Sequence, residues 1–149
     1  MSAYRTIVVG TDGSDTSLAA VDRAAAVAAD SAAELVIVCA YTPAGRGDTA
    51  GAEDALKDEA YLVVGWTPAE ETLRTAEERA AKAGAGNIRT VAADGDPVEV
   101  LRTAARDAGA DLLVVGNRGL NTLSGRILGS VPSDVARRSG VDVLIVHTT

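Results

Sequence analysis

From Val114 to Val135 the chain reads VVGNRGLNTLSGRILGSVPSDV. An apolar run ends at Gly116, the chain passes Gly119, and Gly129-Ser130 opens a helix-like segment, giving the spacing Gly-x2-Gly-x9-Gly-Ser. Glycine lets a backbone adopt φ > 0 and approach a ligand closely. The N–H groups of a helix start, with the helix dipole behind them, favour an anion. Strand, glycine loop and helix start in that order point to an α/β protein with a place for phosphate. The segment is not a P-loop: Gly-x4-Gly-Lys-[Ser/Thr] is absent, and no lysine follows Lys82. No Gly-x-Gly-x-x-Gly follows a strand-like run either. Spacing alone leaves an ordinary loop as an equal reading, so the surrounding sequence decides.

Outward from this stretch, five short apolar runs stand out: Thr6–Gly10, Leu35–Tyr41, Ile88–Ala93, Leu112–Gly116 and Val141–His147. Most are rich in valine and isoleucine without clean polar alternation, as in strands covered on both faces. Helix-like stretches lie between them. Ser14 to Ala29 sets Leu18, Val21 and Ala25 on one stripe, with Ser14 or Asp15 as N-cap. Thr67-Pro68-Ala69-Glu70 reads as cap, first-turn proline and capping-box glutamate of a helix running to Gly84. Asp96-Pro97-Val98-Glu99 repeats that grammar and stops at Gly109, and a fourth helix runs from about Ser130 to Ser139, before Gly140. Alternating β and α units predict a parallel sheet with right-handed crossovers and the Gly10 strand central, between the Leu35 and Leu112 strands. Ligands of such sheets sit outside the carboxyl ends of the strands at the switch in strand order. Gly10-Thr11-Asp12 and Gly116-Asn117 both fall at such ends, which predicts one nucleotide-sized site. Residues 42–66 fit this plan less well; they read as a variable excursion with a short helix from Glu53 to Tyr61 and with Trp66 packed beneath it.

Composition narrows the function. At 149 residues, 1–149 is expected to be one domain burying roughly 70% of its unfolded surface. The net charge of −7 and the lack of a basic cluster argue against nucleic acid and anionic membrane surfaces. No apolar run is long enough to span a bilayer, and Ser2-Ala3-Tyr4-Arg5 does not read as a signal peptide, so a cytoplasmic location is expected. Cys39, the only cysteine, sits in Leu35-Val36-Ile37-Val38-Cys39 and reads as a small buried apolar residue.

With Gly10-Thr11-Asp12-Gly13-Ser14 at the first turn and Gly116-x2-Gly119-x9-Gly129-Ser130 near the end, the chain resembles the nucleotide-binding branch of the universal stress protein family over its whole length. The resemblance implies an open, flavodoxin-like (Rossmann-like) parallel sheet of five strands in order 3-2-1-4-5, with helices on both faces. It also implies a homodimer and an adenine nucleotide, ATP or cyclic AMP, in the cleft. By position, Asp12 lies by the ribose and phosphates, with Thr11 beside it among the nucleotide-binding residues, Ala40 by the adenine, and Gly116 and Gly119 along the ribose and phosphates. Gly129, Ser130 and Val131 supply the phosphate grip, with Ser133 in the same helix start. Two positions depart from the family's pattern. Pro132 replaces a small or hydroxylated residue and removes one backbone donor, which makes a ligand with fewer phosphates, cyclic AMP included, a serious candidate. Arg118 replaces a histidine and either meets phosphate as a forked donor or points to solvent.

Catalysis needs an activated nucleophile or a placed base. The only histidine, His147, lies at the end of the last strand, and Leu123-Ser124-Gly125 is only half of a nucleophile elbow. Asp12 could share a Mg²⁺ with bound phosphates, Asp111 reads as a turn residue, and Glu70, Glu71, Glu77 and Glu78 read as solvated helix charge. The expected function is a stress-response nucleotide sensor or buffer with little or no turnover. The alternatives are a slow Mg-dependent ATPase and an interaction scaffold that docks a partner through 42–66. The apolar last strand, 141–147, belongs at the sheet's edge, where pairing with a second copy would satisfy its open backbone groups.

Overall fold

The computed structural model describes residues 3–42, 66–117 and 130–148. Its elements are β1 (Thr6–Gly10), α1 (Asp15–Ser31), β2 (Glu34–Tyr41), α2 (Trp66–Lys82), β3 (Asn87–Asp94), α3 (Pro97–Ala108), β4 (Leu112–Gly116), α4 (Ser130–Arg138) and β5 (Asp142–Val146). The strands form one sheet in the order β3-β2-β1-β4-β5, with every neighbouring pair parallel. This is the expected 3-2-1-4-5 order with β1 at the centre. The proposed short helix at 53–61 and most of the 42–66 excursion lie outside the described residues.

Strand alternation explains why the apolar runs look continuous. Ile7, Val9, Leu35, Ile37, Leu112 and Val114 point to one face, where α1 and α2 cover them with Leu18, Val21, Leu73 and a row of alanines. Val8, Val36, Val38, Leu113 and Val115 point to the other face, against Val98, Leu101 and Ala105 of α3 and Val135 of α4. Successive side chains of a strand face opposite ways, so a strand roofed on both sides must be apolar at every position. The alanines Ala20, Ala24 and Ala28 give α1 a wider buried face than the three-residue stripe of Leu18, Val21 and Ala25. Small side chains let that helix lie close to the sheet.

Local signals set most of the boundaries. Ser14 caps α1, its side chain accepting from the Ser17 N–H at 3.2 Å. Asp96 caps α3 by accepting from the Glu99 N–H at 3.2 Å, Pro97 occupies the first turn, and Gly109 closes the helix at φ 65°. The α2 boundary differs from expectation. Helix begins at Trp66, so Thr67 lies within the first turn instead of capping it, and Trp66 belongs to the helix. A proline at position 68 is compatible with either start, because the first-turn N–H groups have no helical partner.

Helix α1 ends unusually, on Ala32 at φ 54°, an exposed left-handed alanine. A Cβ in that conformation costs about 1–2 kcal/mol, partly offset in glycine by the larger entropy of its unfolded chain. Ala32→Gly is therefore expected to raise stability by about 0.5–1 kcal/mol, read as a higher denaturation midpoint.

Asp111 does more than turn the chain. Its carboxylate accepts from the Arg5 N–H at 3.0 and 3.2 Å and from the Thr6 N–H at 3.1 Å, pinning the start of β4 to the start of β1. Burial pushes this carboxyl up, but the Arg5 and Thr6 N–H groups and the Arg5 charge outweigh it and hold its pKa below the ordinary 3.8. A folded-state value below the unfolded one means stability that is complete above the unfolded value and lost as pH falls through the folded one. Asp111→Ala should cost about 1–2 kcal/mol at pH 7 after allowance for the carboxylate's partial exposure. Denaturant titrations of parent and variant should converge in acid, once the parent's carboxyl is protonated.

Among the described residues no helix is long and apolar enough to cross a membrane.

Candidate functional site

The carboxyl ends of β1 and β4 lie side by side, because these strands are neighbours in the sheet while their helices pack on opposite faces. The chain leaving β1 is rich in buried polar groups: Thr11, Asp12 and Ser17 are at most 9% exposed, and Asn117 at the end of β4 is 8% exposed. A sheet rim with buried polar side chains needs its hydrogen bonds accounted for.

Most of them close locally. Thr11 N–H donates to Val38 O at 2.9 Å, extending the β1–β2 ladder by one rung. Thr11 Oγ1 and Ser17 Oγ are 2.8 Å apart, and Ser17 Oγ also accepts from the Asp12 N–H at 3.3 Å and donates to Ser14 O at 3.0 Å. Thr11 Oγ1 accepts from the Gly13 N–H at 3.1 Å, in a turn that holds Gly13 at φ 87°, where only glycine is at ease. Asp12 Oδ1 accepts twice from Ser14, from its N–H at 3.0 Å and its Oγ at 2.6 Å. Asp12 Oδ2 is buried and has no hydrogen-bond partner among the described residues. An ionised carboxylate oxygen accepts and cannot donate, so within them it is an unsatisfied acceptor.

On the β4 side, Asn117 N–H donates to Val146 O at 2.8 Å, and Asn117 Oδ1 accepts from Thr148 N–H at 2.8 Å and Thr148 Oγ1 at 3.0 Å. Gly116 ends β4 with ordinary backbone torsions, and a Cβ there would meet Thr148 Cγ2 at an unstrained 3.5 Å. The fold itself therefore does not demand glycine at 116. Gly10 is different: a Cβ there would come within 2.9 Å of Leu101 Cδ2, so its small size serves the packing of α3 on β1.

The other expected site residues divide. Ala40 is half-buried at the end of β2, next to β1, and packs on the α3 side of the sheet. Ser130 and Val131 begin α4, as read, and Ser133 is half-buried in its first turn. Pro132 is fully buried in that turn. Arg118, Gly119 and Gly129 lie outside the described residues. Thr11, Asp12 and Gly116 are thus brought to one rim, with Ala40 on the adjoining strand. The sequence reading missed Ser17 and Thr148, and it placed Asn117 at the strand end without its tie to Thr148. A serine three residues after Ser14, next to Leu18 on the inward stripe, was the available signal for Ser17. Asn117 and Thr148 are 31 residues apart, and no local pattern joins them.

Burial and the Asp12 charge push the Cys39 thiol up to about 12, which leaves it inert at neutral pH, as its apolar setting suggested. His147 is exposed. A separate groove of about 370 Å³ runs between α2 and β3, lined by Glu70, Leu73, Arg74, Glu77, Thr90 and Ala92. Among the described residues no group of three or more histidine, cysteine or carboxylate side chains is placed to hold a metal ion.

Comparison with known proteins agrees with the fold. The model of the universal stress protein family matches residues 3–147. Universal stress protein Rv1636 of Mycobacterium tuberculosis H37Rv is 56% identical over 149 residues, covering all of both chains. A universal stress protein crystallised in complex with cAMP is 50% identical, with a TM-score of 0.77 over 99% of this chain and 100% of that one. Universal stress protein UspA from Lactobacillus plantarum shares the fold, with a TM-score of 0.76 at 24% identity over 96% of this chain and 97% of that one.

Proposed function

The chain belongs to the universal stress protein family, and from that premise we propose that it binds an adenine nucleotide at the carboxyl ends of β1 and β4, with cyclic AMP preferred. The buried Oδ2 of Asp12, without a partner among the described residues, carries this reading. An acceptor-only oxygen repels phosphate and takes a donor; an adenine nucleotide offers its ribose hydroxyls and its adenine amino group, and the family resemblance sets Asp12 beside the ribose. Asp12 is thereby assigned to the ribose, and the phosphate falls to the backbone donors of the glycine segment and the start of α4. Pro132 lowers the number of those donors, which suits one phosphate better than three. The relative in complex with cAMP supports the same choice.

The role that follows is a sensor or buffer of the nucleotide with little or no turnover. Asp12 Oδ2 is one oxygen, so any Mg²⁺ would have to arrive with phosphate oxygens and water. A dimer paired along β5 completes the proposal. Val143, Leu144 and Ile145 are each only partly covered within the chain, and β5 is an edge strand.

Calorimetry against cyclic AMP, AMP, ADP and ATP tests the reading. Saturable binding with cyclic AMP tightest is the expected result, and no binding of any of the four would overturn it. Turnover of ATP should stay below about 1 per second, the lower end of ordinary enzyme rates. Faster hydrolysis that disappears in Asp12→Ala would establish the ATPase alternative instead.

A further inference from the structure

We propose that Thr148 is a positioning residue for the nucleotide site, fixing the course of the chain where it leaves β4. The proposal rests on the nucleotide-binding reading above. Strands β4 and β5 leave the sheet together, since Gly116 pairs with Val146. The Asn117 N–H bond to Val146 O adds one rung beyond the strand ends. Past that rung the chain turns back on Asn117: both donors of Thr148, N–H and Oγ1, converge on Asn117 Oδ1 at 2.8 and 3.0 Å. A carboxamide oxygen has two acceptor sites, and both are used. Asn117 is 8% exposed, so water competes poorly for them. The Thr148 methyl lies over Gly116 at ordinary contact distance from a Cβ built there. Thr148 thus holds Asn117 through its backbone N–H and its hydroxyl, with its methyl set beside Gly116.

This grip is the counterpart of the Ser17 network on the β1 side. Ser17 holds the Asp12 backbone, and Thr148 holds the Asn117 side chain, so each half of the rim is set by a hydroxyl from elsewhere in the chain. A ligand contacting backbone at a glycine stretch gains affinity when that backbone is already in place.

Three variants separate positioning from mere strand-end capping. Thr148→Val keeps the shape and loses the hydroxyl, Thr148→Ser restores the hydroxyl, and Asn117→Leu removes the acceptor from the other side. Cyclic AMP affinity is measured by calorimetry well below the melting temperature, and exchange of the Thr148 and Asn117 amide protons is followed in the unliganded chain. Thr148→Val and Asn117→Leu should bind about five- to tenfold more weakly and exchange faster, the loss expected for one hydrogen bond. Thr148→Ser should bind within about twofold of the parent. Faster exchange with unchanged affinity would reduce the grip to a structural cap and overturn the proposal, as would Thr148→Ser binding as weakly as Thr148→Val. A parent chain that binds no cyclic AMP refutes the nucleotide reading first, before any variant is compared. The exchange data then still decide whether the grip exists, and unchanged exchange in Thr148→Val overturns it.

Discussion

Exchanging Asp12 for asparagine should weaken nucleotide binding while leaving the stability of the unliganded chain nearly unchanged. Asparagine keeps an oxygen at the Oδ1 position, where Ser14 donates twice. At the Oδ2 position it puts an amide NH2, whose two donors also find no acceptor among the described residues. One unsatisfied group replaces another, so the stability of the unliganded variant should stay within about 1 kcal/mol of the parent. Against a ribose hydroxyl the exchange loses a charge-assisted bond worth about 1.5–3 kcal/mol, or roughly ten- to hundredfold in affinity. The split is diagnostic, because a residue kept for stability would lose on both counts. Thermal denaturation without ligand and calorimetry with cyclic AMP read the two effects. The 2′-deoxy form of cyclic AMP should lose affinity for the parent and little more for Asp12→Asn, since both changes remove the same contact.

The second large effect concerns assembly. Ile145 is partly exposed on β5, in register with Val115 of β4, and packs toward the α3–α4 face. If a second copy covers this strand, a lysine at position 145 places two like charges close to the two-fold axis and strands them in an apolar seam. The dimer should weaken by about 3 kcal/mol or more, around a hundredfold, as expected when a charge is buried without a partner. Light scattering at micromolar concentration should show a dimeric parent and a monomeric Ile145→Lys chain whose circular dichroism is unchanged. A monomeric parent would refute the β5 dimer.

Much of the fold was legible because its signals are local. Valine-rich runs mark strands roofed on both faces, and Asp96-Pro97 and Gly109 punctuate α3 where the structure places its ends. Thr67 was read as the cap of α2 but lies within it, because Thr67 and Pro68 are acceptable in a first turn as well as before it. The site was legible in part. Thr11, Asp12 and Gly116 could be placed because a parallel sheet fixes where loops gather. What holds them there could not. The Asp111 staple on Arg5 and Thr6 and the Thr148 grip on Asn117 depend on strands meeting in space, and the Ser17 hydroxyl depends on how the turn after β1 folds back on itself. Gly10 shows the converse, a glycine read as part of a ligand loop that the packing of Leu101 requires on its own account.

The central claim is the place where the nucleotide binds, and backbone amide chemical shifts followed through a cyclic AMP titration test it directly. The account predicts the largest changes at Thr11–Ser14 and at Gly116–Asn117, saturating with the calorimetric affinity. Changes centred on Glu70, Leu73, Arg74, Thr90 and Ala92, the groove between α2 and β3, with the β1 and β4 ends silent, would contradict it.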